Sequence, residues 1–184
     1  MRAFVALEIS DPKVLDSLVA FQKELATSGA DLKLVERQNI HFTLKFLGEI
    51  NESMRNDADE RLGRLRLTGQ TVTVEGIGAF PNSSHPNILW VGVAPDDRAK
   101  VVDIARAVIA ALKGIGEDEE REFQPHATLA RVRSGRNREQ LSTALKSNTE
   151  RRFGAVTLSS IRFKSSQLTS TGPVYRDIGV YTLN

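Results

Sequence analysis

The 184-residue chain carries a formal net charge of +2, is 40% hydrophobic and 26% charged, and contains no cysteine. These values are ordinary for a globular protein, and the missing cysteines exclude disulfides, thiolate metal sites and a cysteine nucleophile. No apolar run approaches the roughly 20 residues of a membrane span, and the N-terminal run at 1–7 is too short for a secretory signal, so we expect a cytoplasmic protein with no membrane partner.

The first half of the chain predicts a β-α-β-α-β order. Runs rich in β-branched and aromatic residues predict strands at 3–9, 40–47 and 71–77. Asp11 precedes residues with helical periodicity, and its side chain can accept hydrogen bonds from the free amides of a first helical turn; the same is expected of Asp96 in the second half. In the first half we therefore expect a helix after Asp11, and a further helix begins at Asn51.

The second half repeats this order. Its predicted elements are a strand at 88–94, a helix after Asp96, a strand at 126–132, a helix after Asn137 and a strand at 155–163. A further strand at 174–183 is expected to return to one of the sheets. The acidic run 117–121 is expected to form a solvated loop.

The two halves match at a constant offset of 85 residues, which is also the separation between His41 and His126. We therefore predict an α+β fold in a single bilobal domain over 1–184, with repeats at about 2–80 and 87–164. Two pseudo-twofold-related β-α-β-α-β halves would place two mainly antiparallel sheets around a central cleft, with the helices on the outside.

Each half contains the same four-residue pattern within a strand. The two copies are His41-Phe42-Thr43-Leu44 and His126-Ala127-Thr128-Leu129. Residues i and i+2 of a strand point to the same face, so each histidine shares a face with its threonine. In the predicted arrangement both of these faces line the cleft. The alternative is two unrelated histidines on separate surfaces, which leaves the shared pattern and its offset unexplained.

A pair of histidines suits acid–base chemistry on a phosphate ester. An imidazole titrates near pH 6.5, so one ring can take up a proton while the other gives one away. The hydroxyls of Thr43 and Thr128 can hold the non-bridging oxygens without a metal or another cofactor. Other chemistries lack their motifs, because zinc-ligand spacing, a GxSxG elbow and a Walker lysine are all missing from the sequence.

The residues that carry these motifs resemble the two-histidine (2H) phosphoesterases, and most closely their RNA 2′,3′-cyclic phosphodiesterase branch, also called 2′-5′ RNA ligase-like. The matching segments are Arg2-Ala3-Phe4-Val5-Ala6, His41-Phe42-Thr43-Leu44-Lys45-Phe46-Leu47-Gly48, Leu89-Trp90-Val91-Gly92 and His126-Ala127-Thr128-Leu129-Ala130-Arg131-Val132. The resemblance implies metal-independent hydrolysis of a 2′,3′-cyclic phosphate on RNA or a nucleotide to a 2′-phosphate. It also implies a weak reverse joining of 2′-5′ ends.

By the same resemblance, His126 would accept the proton of water and His41 would donate a proton to the 3′ oxygen. The family also places an aromatic residue and an arginine five residues after the histidines, which are Phe46 and Arg131 here. Strict alternation turns both of these away from their histidines unless the strand bulges. Alternation therefore favours burial of Phe46 in the core over stacking on a base, whereas Arg131 fits either a phosphate or a surface ion pair.

Two other side chains near the motifs are assigned from alternation. Lys45 falls on the side of His41, where a solvated rim is the favoured position, and Trp90 alternates with apolar neighbours and is expected in the core.

Two alternative functions stay open from the sequence. One is a phosphodiesterase acting on another cyclic or 2′-5′-linked nucleotide, and the other is a non-catalytic RNA-binding module. The expected oligomeric state is a monomer.

Overall fold

The computed structural model describes residues 1–118, 122–170 and 172–184. Within these ranges the elements run in the order β1 (Arg2–Glu8), α1 (Pro12–Ala26), β2 (Leu32–Leu34), β3 (His41–Glu49), α2 (Glu52–Gly63), β4 (Gln70–Phe80), β5 (Ile88–Val93), α3 (Arg98–Ala111), β6 (Ala127–Val132), α4 (Arg138–Lys146), β7 (Arg152–Leu158), β8 (Ser160–Leu168) and β9 (Pro173–Thr182). No helix in the described part of the chain is long and apolar enough to cross a membrane.

The element order agrees with the predicted α+β fold in most places. The short strand β2 is an addition, and the single strand predicted at 155–163 is two strands, β7 and β8. The predicted final strand pairs with β8 along its whole length. Part of the predicted acidic loop, at positions 119–121, lies outside the described residues.

The helix starts follow from side-chain caps in two of the predicted cases. The Asp11 carboxylate accepts hydrogen bonds from the amides of Lys13 and Val14 at 2.9 and 3.0 Å, and the Asn51 side chain accepts one from the Met54 amide at 2.9 Å.

The corresponding prediction for Asp96 is wrong, because neither Asp96 nor the next residue caps helix α3 with its side chain. The Asp97 carboxylate instead accepts from the Thr73 amide at 2.7 Å and ties the start of the helix to strand β4.

Antiparallel pairs join the strands into two half-sheets that meet at one point. One half-sheet has the order β7-β4-β5-β6, with β2 also paired to β6, and the other has the order β3-β1-β8-β9. Between β3 and β6 the described residues form a single pair, Phe42 with Ala127. The two sheets predicted from the sequence are therefore two halves of one continuous nine-stranded sheet, as counted over the described ranges.

Each half-sheet contains strands from both halves of the chain. Strand β4 pairs with β5 and β7, whereas β8 pairs with β1. Helix α1 packs on β6 and β7, and α3 packs on β3 and β4. Nothing in the sequence pattern predicts this exchange of strands between the two halves of the chain. Because of the exchange, neither half of the chain contains a complete half-sheet. The proposed duplication and the domain limits stay a prediction.

One face of the sheet forms the core with the helices. Phe42, Leu44, Ala127 and Leu129 are at most 3% exposed and pack in the same apolar cluster as the inner sides of the helices. Burial of these side chains contributes about 25 cal/mol per Å² of apolar surface removed from water. The other face, which we call the open face, carries the alternate residues of the same strands, among them His41, Thr43, His126 and Thr128.

A β-bulge follows each histidine motif. In β3, Thr43 pairs with Ala6 but Lys45 pairs with Val5, so Leu44 is an extra residue in the strand. In β6, the shift lies between the pairs Thr128–Trp90 and Ala130–Leu89, so Leu129 is the extra residue. Two successive side chains then point into the core, and the strand resumes its alternation with the opposite phase.

The bulges overturn two predictions that rest on strict alternation. Phe46 is 52% exposed, because the bulge returns it to the open face instead of the core. Lys45 is 3% exposed instead of lying on a solvated rim, and its ammonium donates hydrogen bonds of 2.8 Å to the Glu117 carbonyl and the Asp118 carboxylate. Arg131 is the counterpart of Phe46 and is likewise exposed.

The bulge in β6 is held by a buried side chain from helix α1. Gln22 is 2% exposed, and its amide donates to the carbonyls of Val35 and Leu129 at 2.8 and 2.7 Å. The Leu129 carbonyl also accepts from the Val35 amide at 2.9 Å. Gln22 therefore connects the helix to the strand at the residue that creates the bulge.

We expect Gln22→Met to lower the free energy of unfolding by about 1–3 kcal/mol, because it removes two hydrogen bonds at buried carbonyls with little change in volume. Urea unfolding followed by circular dichroism measures the change. Gln38→Met is the matched control, since the Gln38 side chain is exposed and its bond within the described residues is to the nearby exposed Glu36. Equal stabilities for the two variants would show that Gln22 does not support the bulge.

Candidate active site

The two histidine motifs meet where the half-sheets join. Phe42 and Ala127 are the middle residues of the motifs and form the connecting antiparallel pair. Continuing that register by one residue in each direction sets His41 beside Thr128, and Thr43 beside His126. Since Phe42 and Ala127 point into the core, the four polar side chains surround the connection on the open face. The two motifs, far apart in sequence, are therefore neighbours in space.

Aromatic side chains enclose the His41 ring. Phe4 stacks on it with ring centroids 5.1 Å apart, and Tyr175 meets it edge-on at 5.7 Å. Burial among these rings, helped by the positive charge of Lys164, lowers the pKa of His41 to about 4. A hydrogen bond to the Asn39 backbone and the charge of Glu8 act in the opposite direction but do not cancel the effect. His41 is therefore neutral at pH 7 in the ligand-free protein.

The ring of His126 is oriented by its own backbone and by a second aromatic group. Its Nδ1 lies 2.8 Å from the Gln124 carbonyl, which as an acceptor fixes the proton on Nδ1. Phe80 meets the ring edge-on at 4.9 Å, and Trp90 lies at 6.3 Å. The lone pair of Nε2 is then available to accept a proton.

The threonines are placed to contact the same group as the histidines. The Thr43 hydroxyl lies 3.1 Å from Nε2 of His41, within hydrogen-bonding distance. Thr128 is partly exposed on the open face and pairs with Trp90 in the neighbouring strand. Hydroxyls on rigid strands need little reorganisation to donate to an anion between them.

Phe46 and Arg131 stand on the open face on either side of the four motif residues. The Phe46 ring is 6.1 Å from that of Phe4, which itself stacks on His41. The charge of Arg131 reaches Tyr175, where it partly offsets the raising of the tyrosine pKa by burial. Both residues thus lie within reach of a ligand held at the histidines.

Trp90 lines a cavity and is not a core residue as expected. The cavity is about 420 Å³ in volume and is bounded by Trp90, Phe80, His126, Arg98 and Arg152, among others. The Trp90 indole lies flat against Gly78, where a Cβ would come within 2.2 Å of it. The alternation of polar and apolar residues does not distinguish a strand face that packs under helices from one that is lined by aromatic rings, so the predicted core position of Trp90 is wrong.

A group of four charged side chains borders His41 and has no signal in the sequence. Lys164 bridges the carboxylates of Glu8 and Asp177 at 2.5 and 2.6 Å, and Arg162 contacts the same two carboxylates. Glu8 also pairs with His41 across strands β1 and β3. These residues come from β1, β8 and β9, so only the strand order brings them together. Tyr175, also from β9, was missed for the same reason.

In the described ranges, no three histidine, aspartate or glutamate side chains lie close enough together to hold a metal ion. The donor groups that the site does offer are two imidazoles and two hydroxyls around one point. Imidazoles can transfer protons and hydroxyls can donate hydrogen bonds, so this set of groups suits a reaction of a bound anion that involves proton transfer.

An antiparallel sheet with paired His-x-Thr motifs at the junction of its halves defines the two-histidine phosphoesterase class. The family described as AKAP7 2′5′ RNA ligase-like domain matches residues 3–183. The chain belongs to this family.

Similar proteins agree with this membership. An RNA 2′,3′-cyclic phosphodiesterase of Archaeoglobus fulgidus is 33% identical over 182 residues, which cover 98% of this chain and 99% of the relative. The protein of the same name from Aeropyrum pernix is 36% identical over 162 residues, with 88% and 92% coverage. The recognised family and the predicted enzyme class, a phosphodiesterase, are thereby confirmed.

Solved structures share the fold. A crystal structure of a Thermus thermophilus protein has a TM-score of 0.77 at 26% identity and covers 100% of this chain and 98% of its own. Escherichia coli LigT in its apo form has a TM-score of 0.78 at 20% identity, with 99% and 96% coverage. At that identity the second comparison concerns the fold alone.

We expect the His41 ring to titrate with a midpoint near pH 4 in the folded, ligand-free protein, well below its ordinary 6.5. Between these values the unfolded chain binds a proton that the folded chain does not, so the stability linked to His41 falls as the pH drops from about 6.5 toward 4. Heteronuclear NMR of the histidine rings measures the midpoint, with the resonance assigned by its loss in His41→Asn. A midpoint near 6.5 would contradict the proposed effect of burial.

Proposed function

We propose that this enzyme hydrolyses the 2′,3′-cyclic phosphate of RNA or a nucleotide to a 2′-phosphate with a histidine pair and without a metal. The observation that carries the proposal is the placement of both histidines and both threonines around the Phe42–Ala127 pair on one open face. The names of the Archaeoglobus and Aeropyrum relatives support the substrate.

The reaction needs one proton acceptor and one proton donor. His126 accepts a proton from water as the water oxygen forms a bond to phosphorus, and the bond from phosphorus to the 3′ oxygen breaks. His41 donates a proton to that departing oxygen, which leaves a free 3′-hydroxyl and a 2′-phosphate. Each positioned proton transfer contributes about 10²–10⁴ in rate. Thr43 and Thr128 donate to the non-bridging oxygens, where negative charge increases in the transition state.

The environments of the two rings fit this division of roles. The fixed proton on Nδ1 of His126 leaves Nε2 as an acceptor. His41 is neutral in the free protein, so it needs a proton before it can act as the donor. A bound phosphate anion favours this protonation of His41, because a negative charge within about 4–6 Å stabilises the protonated imidazole. Substrate binding thus raises the pKa of His41 toward the range in which the ring can act as a proton donor.

Phe46 and Arg131 complete the proposed binding site. The half-exposed Phe46 ring offers a face on which a nucleobase can stack, and the Arg131 guanidinium offers a charge for a phosphate. A ribose 5′-hydroxyl in the place of water would form a 2′-5′ linkage by the same proton transfers. We propose that ligation is this side reaction and that the protein acts as a monomer in the cytoplasm.

We expect His41→Ala and His126→Ala each to lower kcat on a 2′,3′-cyclic mononucleotide by about 10²–10⁴, while wild-type turnover is unchanged by chelator. His85→Ala is the control, since His85 is exposed in the loop between β4 and β5 and belongs to neither motif. Product analysis should find the phosphate on the 2′ oxygen. Full activity in both motif variants, or loss of wild-type turnover with chelator, would contradict the mechanism.

A substrate with sulfur in place of the 3′ oxygen separates the two roles. A thiolate leaves without protonation, so we expect His41→Ala to lose much less activity on the cyclic phosphorothiolate than on the normal substrate. His126→Ala should be impaired on both, because water still has to lose its proton. The reverse pattern would exchange the assigned roles of the two histidines without changing the reaction.

We expect Thr43→Val and Thr128→Val to lower kcat by roughly 10- to 10³-fold with a smaller change in KM, because each removes a donor to the transition state. Thr→Ser variants retain the hydroxyl and serve as matched controls that should recover most of the rate. Steady-state kinetics on the cyclic mononucleotide provide the measurement. Equal activity for the Val and Ser variants would show that the threonines serve the fold only.

A further inference from the structure

Two cations stand side by side on the open face, beyond the motif residues. Lys33 in β2 pairs directly with Arg131 in β6, so both side chains emerge on the same face. Both residues are exposed. The bulge at Leu129 turns Arg131 toward the cleft. Because Lys33 is paired with Arg131, its side chain points to the same side.

This pairing is unfavourable without a counter-ion. Like charges directly opposite each other destabilise an antiparallel pair. Among the described residues, neither Lys33 nor Arg131 has a carboxylate within ion-pair distance, whereas Lys164 and Arg152, which also lie near the histidines, are paired with Glu8 and Glu75. The two adjacent charges of Lys33 and Arg131 are therefore available to an anion.

Arg131 also lies near the side chains around His41. Tyr175 contacts the His41 ring, and the charge of Arg131 acts on the pKa of Tyr175. On the other side of the pair, a Cβ on Gly172 would lie 3.7 Å from the Lys33 ammonium. Gly172 directly precedes β9 of one half-sheet and Lys33 belongs to the other, so the two half-sheets approach each other at Lys33.

We propose that Lys33 acts with Arg131 to bind the phosphodiester on the 5′ side of the terminal nucleotide, so that a strand with one internal phosphodiester is bound more tightly than the cyclic mononucleotide. The proposal rests on the proposed function, because the cyclic phosphate must occupy the histidines. From Thr128 to Arg131 the strand advances three residues, roughly 7–10 Å, a distance comparable with that between successive phosphates of a single strand. The exposed Phe46 then adds the stacking surface typical of single-strand binding.

The cavity beside His126 does not offer the same chemistry. It is lined by Arg98 and Arg152, but Arg152 is paired with Glu75, and the carboxylates of Glu75 and Glu150 both line the cavity. Carboxylates repel a phosphodiester, whereas the aromatic rings of Phe80 and Trp90 suit an uncharged group. The unpaired cations at Lys33 and Arg131 are therefore the better position for the backbone of an RNA strand.

The test compares the cyclic mononucleotide with a dinucleotide that ends in the same cyclic nucleotide and contains one internal phosphodiester. For Lys33→Gln we expect the ratio of kcat/KM, dinucleotide over mononucleotide, to fall about five- to twenty-fold through KM. The dependence of log KM for the dinucleotide on log salt should also become shallower by about 0.7. Lys146→Gln on the outer helix α4 is the control, because Lys146 is exposed and distant from the open face.

A second substrate isolates the charge. A dinucleotide with an uncharged methylphosphonate linkage should be a poorer substrate than the phosphodiester for the wild type, and Lys33→Gln should add no further loss. An equal loss with both linkages, or an unchanged substrate ratio in Lys33→Gln, would overturn the proposal. Absence of turnover on the mononucleotide and the dinucleotide alike in the wild type would overturn the proposed function instead, so the two failures are distinguishable.

Discussion

One antiparallel backbone pair, Phe42 with Ala127, is the constraint on which the site depends. Its two side chains are buried under the helices, so the neighbouring residues in both strands must point the other way. A slip of β3 by one residue against β6 would turn His41 into the core and Phe42 into the cleft. The hydrophobic core therefore sets the position of the histidines and threonines more firmly than any contact between them.

The surroundings of the two imidazoles give identical motifs different properties. His41 lies among Phe4, Tyr175 and the charge of Lys164, which together lower its pKa to about 4. Both rings bond to the backbone two residues earlier, but His126 lies beside a cavity instead of being enclosed by aromatic rings. The two copies of the pattern therefore differ in the residues around them, which is what the two different proposed roles require.

The sequence predicts what depends on local pattern and misses what depends on strand order. The paired motifs, the cap at Asp11, the helix start at Asn51 and most strands follow from residue spacing and side-chain chemistry. The positions of Phe46 and Lys45 do not, because a bulge adds one residue without a mark in the hydrophobic pattern. Lys33 gains its neighbour Arg131 only through the pairing of a three-residue strand. Such a strand is too short for periodicity to detect.

The exchange of strands between the half-sheets has a mechanical consequence. The chain passes repeatedly from one half-sheet to the other, and helices from each half of the sequence pack on strands from the other half. Separating the two half-sheets would therefore disturb several of these connections at once, instead of bending one linker. The relative position of the two histidine-bearing strands is therefore fixed by the fold of the whole chain and not by a single hinge.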